Sequence, residues 1–210
     1  MSALPSLFDA NASFGTPCTG GTDSPSIADR LASMDRFGIG RSLVWNVESV
    51  QDHALAANRK LIAEVRGTPG AEGRIVPALA VSGHLAWERG GPDRLADQVR
   101  AAGTRALRFV NAGGRLALAQ LAPVVRGLRR HRPFLVLRHD QAATADILEF
   151  AAAFPWMTLV LTEVMWGACG TVFDLMRRRR SILCDTSWLH SFGAIELVYD
   201  VPHFDQFDDN

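Results

Sequence analysis

The sequence predicts an α/β protein in which parallel strands alternate with helices and curve into an incomplete (β/α) barrel of about seven units. Three observations predict this fold class. Short apolar runs recur seven times along the 210 residues. Amphipathic helical patterns separate these runs. The strand starts lie 23 to 35 residues apart, close to the minimum of about 30 residues for a parallel βαβ unit.

The seven strand candidates are rich in Val, Leu and Ile, as expected for parallel strands that are buried on both faces. Their starts are Leu7, Ser42, Ile75, Ala106, Phe134, Leu159 and Ile182. Six helical patterns separate them, and several carry capping residues at the expected ends. Pro92 begins one of these helices and Gly103 ends it, which is the usual placement of proline and glycine.

Two architectures fit this alternation, an open doubly wound sheet and a barrel. The first strand-helix turn, DANASFGTPCTGG, lacks the G-x-G-x-x-G pattern of a dinucleotide-binding sheet. A TIM-type barrel needs about 250 residues, and one added unit of about 30 residues would bring this chain close to that length. We therefore predict a single TIM-type barrel domain over 1–200 that lacks its last unit. The acidic tail 201–210 is unsuited to a buried strand.

Composition excludes several kinds of protein. The chain is 48% hydrophobic and carries 22 basic and 22 acidic side chains, so its formal net charge is zero. These values are typical of a globular domain and exclude a disordered chain. No apolar run reaches the roughly 18 residues that a membrane-spanning helix needs, and the first residues lack the profile of a secretory signal. We therefore expect a cytoplasmic protein with no membrane partner.

Three features that could suggest other functions have simpler explanations. The arginine-rich runs at 129–132 and 177–180 follow helical patterns, where cations stabilise the terminal carbonyls, so we expect no nucleic-acid partner. Lys60 is the single lysine and lies within a helical pattern, which argues against Schiff-base and pyridoxal-phosphate chemistry. The three cysteines lack CxxC spacing, so neither a disulfide framework nor a thiolate zinc site is expected.

Polar side chains end several of the predicted strands, and the active sites of (β/α) barrels lie at that end. Glu163 follows the apolar run LVLT and is the leading candidate for a catalytic or metal-ligating group. The alternative is that it pairs with Arg108 or Arg138. Arg108 either receives a substrate carboxylate through a bidentate contact or neutralises Glu163. Asp185 either takes part in catalysis or accepts hydrogen bonds from loop amides.

Three further strand-end residues are also candidates. His139 is a candidate catalytic base, although its neighbour Asp140 should point to the opposite face of the strand. Asn11 and Asn46 end the first two predicted strands and are candidate substrate-binding groups together with Arg108.

The order of these segments resembles the amidohydrolase-related family of TIM-barrel, metal-dependent hydrolases. The likeness extends from residue 7 to about 198. Its most specific pieces are FDAN in the first strand, VLT in the sixth and CDTSWLH in the seventh. The resemblance implies an active site at the C-terminal face of the barrel and, in catalytic members, one divalent metal acting on water. It also implies hydrolysis of amide or lactone bonds, or decarboxylation of small aromatic acids.

The sequence departs from the family pattern at the metal ligands. The first-strand D-x-H-x-H pattern corresponds here to Asp9, Asn11 and Ser13, and amide and hydroxyl oxygens are poor zinc ligands beside imidazole. The fifth-strand histidine is displaced to His139, Glu163 stands at the sixth-strand histidine, and the eighth-strand aspartate has no counterpart. We therefore expect no tightly bound zinc and at most one weakly bound divalent metal, zinc or manganese.

Two functional hypotheses follow. The first is a hydrolase or decarboxylase of a small organic substrate, degenerate at its metal site, with Glu163, His139, Asp185 and His190 as catalytic candidates. His190 matches a family histidine after the seventh strand and either contacts ligand or caps the helix beginning near Gly193. The second is a non-catalytic protein that binds a small ligand, or a truncated gene product. Since an open barrel leaves strand edges unpaired, we also expect a homo-oligomer.

Overall fold

The computed structural model describes residues 7–17, 24–110 and 117–186, and the predicted alternation of strands and helices is present in these ranges. The strands are β1 (Leu7–Phe14), β2 (Ile39–Asn46), β3 (Ile75–Pro77), β4 (Leu79–Val81), β5 (Ala106–Phe109), β6 (Phe134–Arg138), β7 (Thr158–Thr162) and β8 (Ile182–Cys184). The helices are α1 (Ile27–Phe37), α2 (Ala54–Gly67), α3 (Gly91–Ala102), α4 (Ala122–Gly127), α5 (Thr144–Ala153) and α6 (Cys169–Arg178). The tail 201–210 lies outside the described residues.

All paired strands are parallel, in the orders β1-β2-β3 and β4-β5-β6-β7-β8. The strands β3 and β4 follow each other on either side of Ala78, so the eight strands trace the seven predicted paths. Within the described residues no pairing joins β1 to β8, and the barrel does not close. The prediction of an incomplete TIM-type barrel is confirmed.

The predicted third strand is divided because its first part pairs with β2 and its second part pairs with β5. The N–H of Ala78 donates to the carbonyl of Val44 in β2 at 2.8 Å, and β4 then pairs with β5. Pro77 at this point has no N–H to continue the ladder. The hydroxyl of Thr104, which precedes β5, donates to the Pro77 carbonyl at 2.7 Å. The chain thus moves from one ladder to the other within two residues.

A side chain from α2 takes the place of a neighbouring strand beside β4. The N–H of Ala80 donates to Asn58 Oδ1 at 2.7 Å, and Asn58 Nδ2 donates to the Ala80 carbonyl at 3.0 Å. Asn58 Nδ2 also lies 3.1 Å from Gln98 Oε1, and Asn58 is 1% exposed. Because buried backbone groups need hydrogen-bond partners, this carboxamide allows the ladder between β2 and β3 to end inside the protein before β4 begins.

Local capping explains where the helices begin and end. Ser26 and Asp29 form a reciprocal capping box at the start of α1, which satisfies two backbone donors of the first turn. Pro92 lies in the first turn of α3, and Gly103 ends that helix with a φ of 61°, as the sequence predicted. No helix in the described ranges is long and apolar enough to cross a bilayer.

The alternation of side chains along the strands separates two apolar clusters. Leu135 and Leu137 of β6 are fully buried in the large core that also contains apolar side chains of the helices. Val136, between them, belongs to a smaller cluster with Ala106 and with residues of β2 and Ala78. Successive strand residues point to opposite faces. Arg108 therefore lies on the same face of β5 as Ala106, which faces the barrel interior.

Candidate functional site at the strand ends

A buried guanidinium lies at the centre of the strand-end residues. Arg108 of β5 is 4% exposed, and its Nη1 donates to Asn11 Oδ1 at 2.9 Å and to Thr162 Oγ1 at 3.1 Å. Its Nη2 lies 3.6 Å from Glu163 Oε1, and its Cζ lies 5.0 Å from the centroid of the Trp45 ring. Such a distance is typical of a cation–π contact. Contacts to β1, β2 and β7 therefore converge on one side chain of β5.

The charge of Arg108 is maintained despite its burial. Burial lowers the pKa of the guanidinium to about 10, while the carboxylates of Glu163 and Asp185 oppose this change by raising it. Arg138, on the neighbouring strand β6, adds a second positive charge that lowers the pKa further. With a pKa of about 10, the Arg108 side chain is a cation at neutral pH.

Glu163 has an unusual backbone conformation. It directly follows β7, and its φ is 57°, in the left-handed region that a residue with a Cβ seldom adopts. Its N–H donates to Asp185 Oδ1 at 3.1 Å, and its Oε1 accepts from Asn11 Nδ2 at 3.3 Å. The Glu163 side chain is 29% exposed. Strained conformations that are fixed by surrounding contacts are concentrated at functional sites.

The first strand positions Asn11 through its own neighbour. The N–H of Asn11 donates to Asp9 Oδ1 at 3.0 Å, so the Asp9 side chain restrains the backbone of the same strand. Arg30 Nη1 of α1 lies 3.9 Å from the other Asp9 carboxylate oxygen. Asn11 thus presents its Oδ1 to Arg108 and its Nδ2 to Glu163. Both ends of the Asn11 carboxamide are used in the site.

His139 and Asp140, which follow β6, differ from this group in their contacts. The backbone N–H of His139 donates to the Thr162 carbonyl at 3.1 Å. Within the described part of the chain, its buried Nδ1 has no hydrogen-bond partner. Asp140 pairs with Arg138. A base and orienting carboxylate formed by His139 and Asp140 is therefore not among the described contacts.

Asn46 has a structural role in the described contacts. It is 1% exposed, its Nδ2 donates to the Ala57 carbonyl of α2 at 3.2 Å, and its Oδ1 accepts from the N–H of Glu48 at 2.9 Å. The Asn46 carboxamide therefore caps the short 3-10 turn after β2 and ties that turn to α2. Glu48 itself accepts from Lys60 Nζ at 2.6 and 2.9 Å. His190 lies outside the described residues.

A cavity of about 610 Å³ opens at the carboxyl ends of β2, β4 and β5. Residues 49–54, Ser82, His84, Glu88 and Val110 line it, and all of them follow the carboxyl ends of β2, β4 or β5. A volume of this size is within the usual range for small-molecule sites. The cavity therefore lies at the same end of the strands as Arg108.

Sequence reasoning missed two parts of this region. Thr162 is not among the candidates from the sequence, although it ends β7 on the same face as Val160. A hydroxyl on the interior face of a strand end is a signal that could have identified it as a site residue. The second part is at the cavity, where His53 Nε2 contacts Glu88 Oε1 and Arg94 Nη2 lies 2.9 Å from Glu88 Oε2. His53 Nδ1 accepts from the N–H of Leu55, so this imidazole also caps α2.

Comparison with known proteins identifies the fold. No protein-family model and no curated protein matches the sequence. A 5-carboxyvanillate decarboxylase from Novosphingobium aromaticivorans, with bound manganese and 3-methoxy-4-hydroxy-5-nitrobenzoic acid, superposes with a TM-score of 0.58 at 15% identity over 83% of this chain and 70% of the decarboxylase. The chain has the TIM-barrel fold.

A second TIM-barrel structure supports the same conclusion. An uncharacterized protein from Bordetella bronchiseptica superposes with a TM-score of 0.55 at 12% identity, over 96% of this chain and 79% of that protein. The fold implied by the resemblance to the amidohydrolase-related family is therefore confirmed. At these identities the likeness establishes the fold and leaves activity to be argued from the site.

The manganese of the decarboxylase structure requires a test of whether this TIM barrel could hold a divalent metal. Within the described ranges no group of three or more His, Cys, Asp or Glu side chains could hold one. Asn11 Oδ1 accepts from Arg108, and Glu163 Oε1 accepts from Asn11. The donor set seen at the strand ends does not fit a divalent metal, because Asn11 Oδ1 and Glu163 Oε1 already face N–H groups and the fixed positive charge of Arg108.

Proposed function

We propose that this chain is an amidohydrolase-related protein that acts on a small organic acid at the carboxyl ends of its strands. The single observation that carries the proposal is the environment of Glu163. Its backbone is in the left-handed region, Asp185 holds its N–H, and a buried cation lies 3.6 Å from its carboxylate. A strand end that only closed the fold would not need a strained carboxylate beside a buried guanidinium.

The residues have separable roles in this proposal. Arg108 is the positive group that orients a substrate carboxylate, because a guanidinium presents paired donors that match carboxylate geometry. Asn11 can donate through Nδ2 and accept through Oδ1, so it positions both Glu163 and the substrate. Glu163, partly exposed, is the group that exchanges a proton with the substrate. Asp185 is a positioning residue, because it acts through the N–H of Glu163.

The reaction class follows from the family resemblance together with this charge arrangement. Hydrolysis and decarboxylation both need a proton acceptor or donor next to the reacting carbon, and Glu163 can serve in either reaction. The ligand in the decarboxylase structure, 3-methoxy-4-hydroxy-5-nitrobenzoic acid, is a substituted benzoic acid. It and the corresponding methoxy-hydroxybenzoic acids are therefore the first compounds to test here.

The test combines binding with turnover. Binding of these acids is measured by isothermal titration calorimetry, and product formation by liquid chromatography with mass spectrometry. Glu163→Gln should retain binding and lower kcat by at least about 100-fold, the usual effect of losing a general acid or base. Glu149→Gln is the matched control, because Glu149 is an exposed residue of α5. Equal turnover by the two variants would contradict the role of Glu163.

A second candidate function is a non-catalytic barrel that binds a small carboxylate. The observation that favours it is the engagement of Asn11, Thr162 and Glu163 by one another and by Arg108, which leaves the network hydrogen-bonded without any substrate. This candidate predicts binding of an acid that is lost in Arg108→Met, retained in Glu163→Gln and accompanied by no product in the wild type.

A further inference from the structure

Four side-chain oxygens at the strand ends of this barrel have described partners. Asn11 Oδ1 is 2.9 Å from Arg108 Nη1, and Thr162 Oγ1 is 3.1 Å from the same nitrogen. Glu163 Oε1 accepts from Asn11 Nδ2 and lies 3.6 Å from Arg108 Nη2. Asp185 Oδ1 accepts from the N–H of Glu163. Three of these four oxygens are therefore arranged around the guanidinium.

The surroundings of Arg108 stabilise a positive charge. The side chain is 4% exposed, and burying a charge is costly unless it is paired and hydrogen-bonded. The Trp45 ring lies beside its guanidinium at 5.0 Å, and the carboxylates of Glu163 and Asp185 contribute favourable charge. A positive ion brought to the same oxygens would meet the guanidinium itself and the nearby charge of Arg138.

We infer that the guanidinium of Arg108 is the resident cation of the strand-end site, so that it and a divalent metal compete for Asn11 and Glu163. The guanidinium, fixed to β5, supplies the positive charge to which an anionic ligand or a developing negative charge would be drawn. The oxygens hold this cation whether or not the site turns over a substrate.

This inference predicts how manganese binding responds to substitution. In the wild type, dialysis against micromolar manganese followed by elemental analysis should leave far less than one manganese per chain. Arg108→Met removes the charge and returns the oxygens of Asn11, Thr162 and Glu163 to solvent or to a metal. We expect its affinity for manganese, measured by electron paramagnetic resonance of the free ion, to exceed that of the wild type by at least about tenfold.

Controls separate this effect from general changes in charge. Arg108→Lys keeps a cation in place and should remain as poor a manganese binder as the wild type. Arg130→Met removes an exposed arginine and should change nothing. The double variant Arg108→Met with Glu163→Gln should lose the gain in affinity, because it replaces the liberated Glu163 carboxylate by a neutral amide. Arg108→Gln provides a second neutral variant if the methionine variant does not fold, as judged by circular dichroism.

The results that would overturn the inference are equally specific. One manganese per wild-type chain that is lost in Glu163→Gln would show that the metal and the guanidinium share the site. Unchanged manganese affinity in both folded neutral variants of Arg108 would show that the guanidinium does not exclude the metal. Either result is independent of activity, so a failure of the proposed function would leave this test intact.

Discussion

Substituting Asn58 by leucine tests whether this side chain stabilises β4 by hydrogen bonding to its backbone in the place of a neighbouring strand. In the wild type, the Asn58 carboxamide accepts from the N–H of Ala80 at 2.7 Å and donates to its carbonyl at 3.0 Å. Leucine has a similar size but no polar atom, so both backbone groups of Ala80 lose these partners. Asn58 is 1% exposed, and water cannot readily replace the carboxamide there.

The expected magnitude follows from these two groups. Each buried backbone group without a partner costs about 1–3 kcal/mol, which gives a loss of about 2–6 kcal/mol. The added apolar burial of leucine returns about 1–2 kcal/mol. We therefore expect Asn58→Leu to lower the free energy of unfolding by about 1–4 kcal/mol. With a urea dependence of about 2 kcal/mol per molar, the midpoint should fall by about 0.5–2 M.

Urea denaturation followed by tryptophan fluorescence measures this midpoint, and amide hydrogen exchange of Ala80 measures the local effect. Gln98→Leu is the matched control. It removes the third partner of Asn58 and a bond to the Leu55 carbonyl, but leaves both groups of Ala80 paired. It should therefore cost less than half as much. A loss below about 0.5 kcal/mol for Asn58→Leu, with unchanged protection of the Ala80 amide, would refute this account of the divided strand.

Three further predictions concern charge, thiol chemistry and assembly. The hydrogen bond from Lys60 lowers the pKa of Glu48 below its ordinary value of 4.5, so this pair should stabilise the fold above about pH 4.5 and lose that effect as the pH falls. Lys60→Met should raise the Glu48 pKa in an NMR titration, and an unchanged value would contradict the pairing. Burial raises the pKa of Cys184 to about 11, so its thiol should resist iodoacetamide at pH 8, and its contribution to stability should be lost between about pH 9 and pH 11. Rapid labelling of the Cys184 peptide in the folded protein, followed by mass spectrometry, would contradict this. We further propose that a second copy of the chain covers the edges of β1 and β8, where Phe8 is 53% and Leu183 40% exposed. Phe8→Asp combined with Leu183→Asp should then halve the mass measured by light scattering, whereas a monomeric wild type would refute the proposal.

The local pattern of the sequence was sufficient to predict the repeating unit. In the part of the chain that the structure describes, seven strand paths and six helices lie where apolar runs and helical periodicity indicate them, because each is stabilised mainly by near neighbours in sequence. The division of the third strand was not predicted. It depends on Asn58, which is 22 residues from Ala80, and no local signal distinguishes an asparagine that replaces a strand from one exposed on a helix.

The site was predictable as a set of residue types and less so as a set of contacts. Their positions at strand ends make Arg108, Asn11, Glu163 and Asp185 candidates, and the structure brings all four into one network. The pairing of Arg108 with Asn11 spans 97 residues and depends on the curvature of the sheet. Asn46 also ends a strand, but it lies on the face of that strand that packs against α2, so its carboxamide contacts α2.

The network around Arg108 has a consequence for the open side of the barrel. Asn11 belongs to β1 and Glu163 follows β7, and no ladder joins β1 to β8 in the described residues. The hydrogen bonds of Arg108 to Asn11 and Thr162, with that of Asn11 to Glu163, therefore link the two sides of the barrel across its interior. A closed barrel achieves the same link through backbone pairing. The charge that defines the candidate site is thus also part of what holds the strand ends together, so a neutral substitution at Arg108 should loosen β1 as well as weaken binding of an acid. Amide exchange that increases in β1 but not in β6 after Arg108→Lys would identify the geometry of the guanidinium, beyond its charge, as the link.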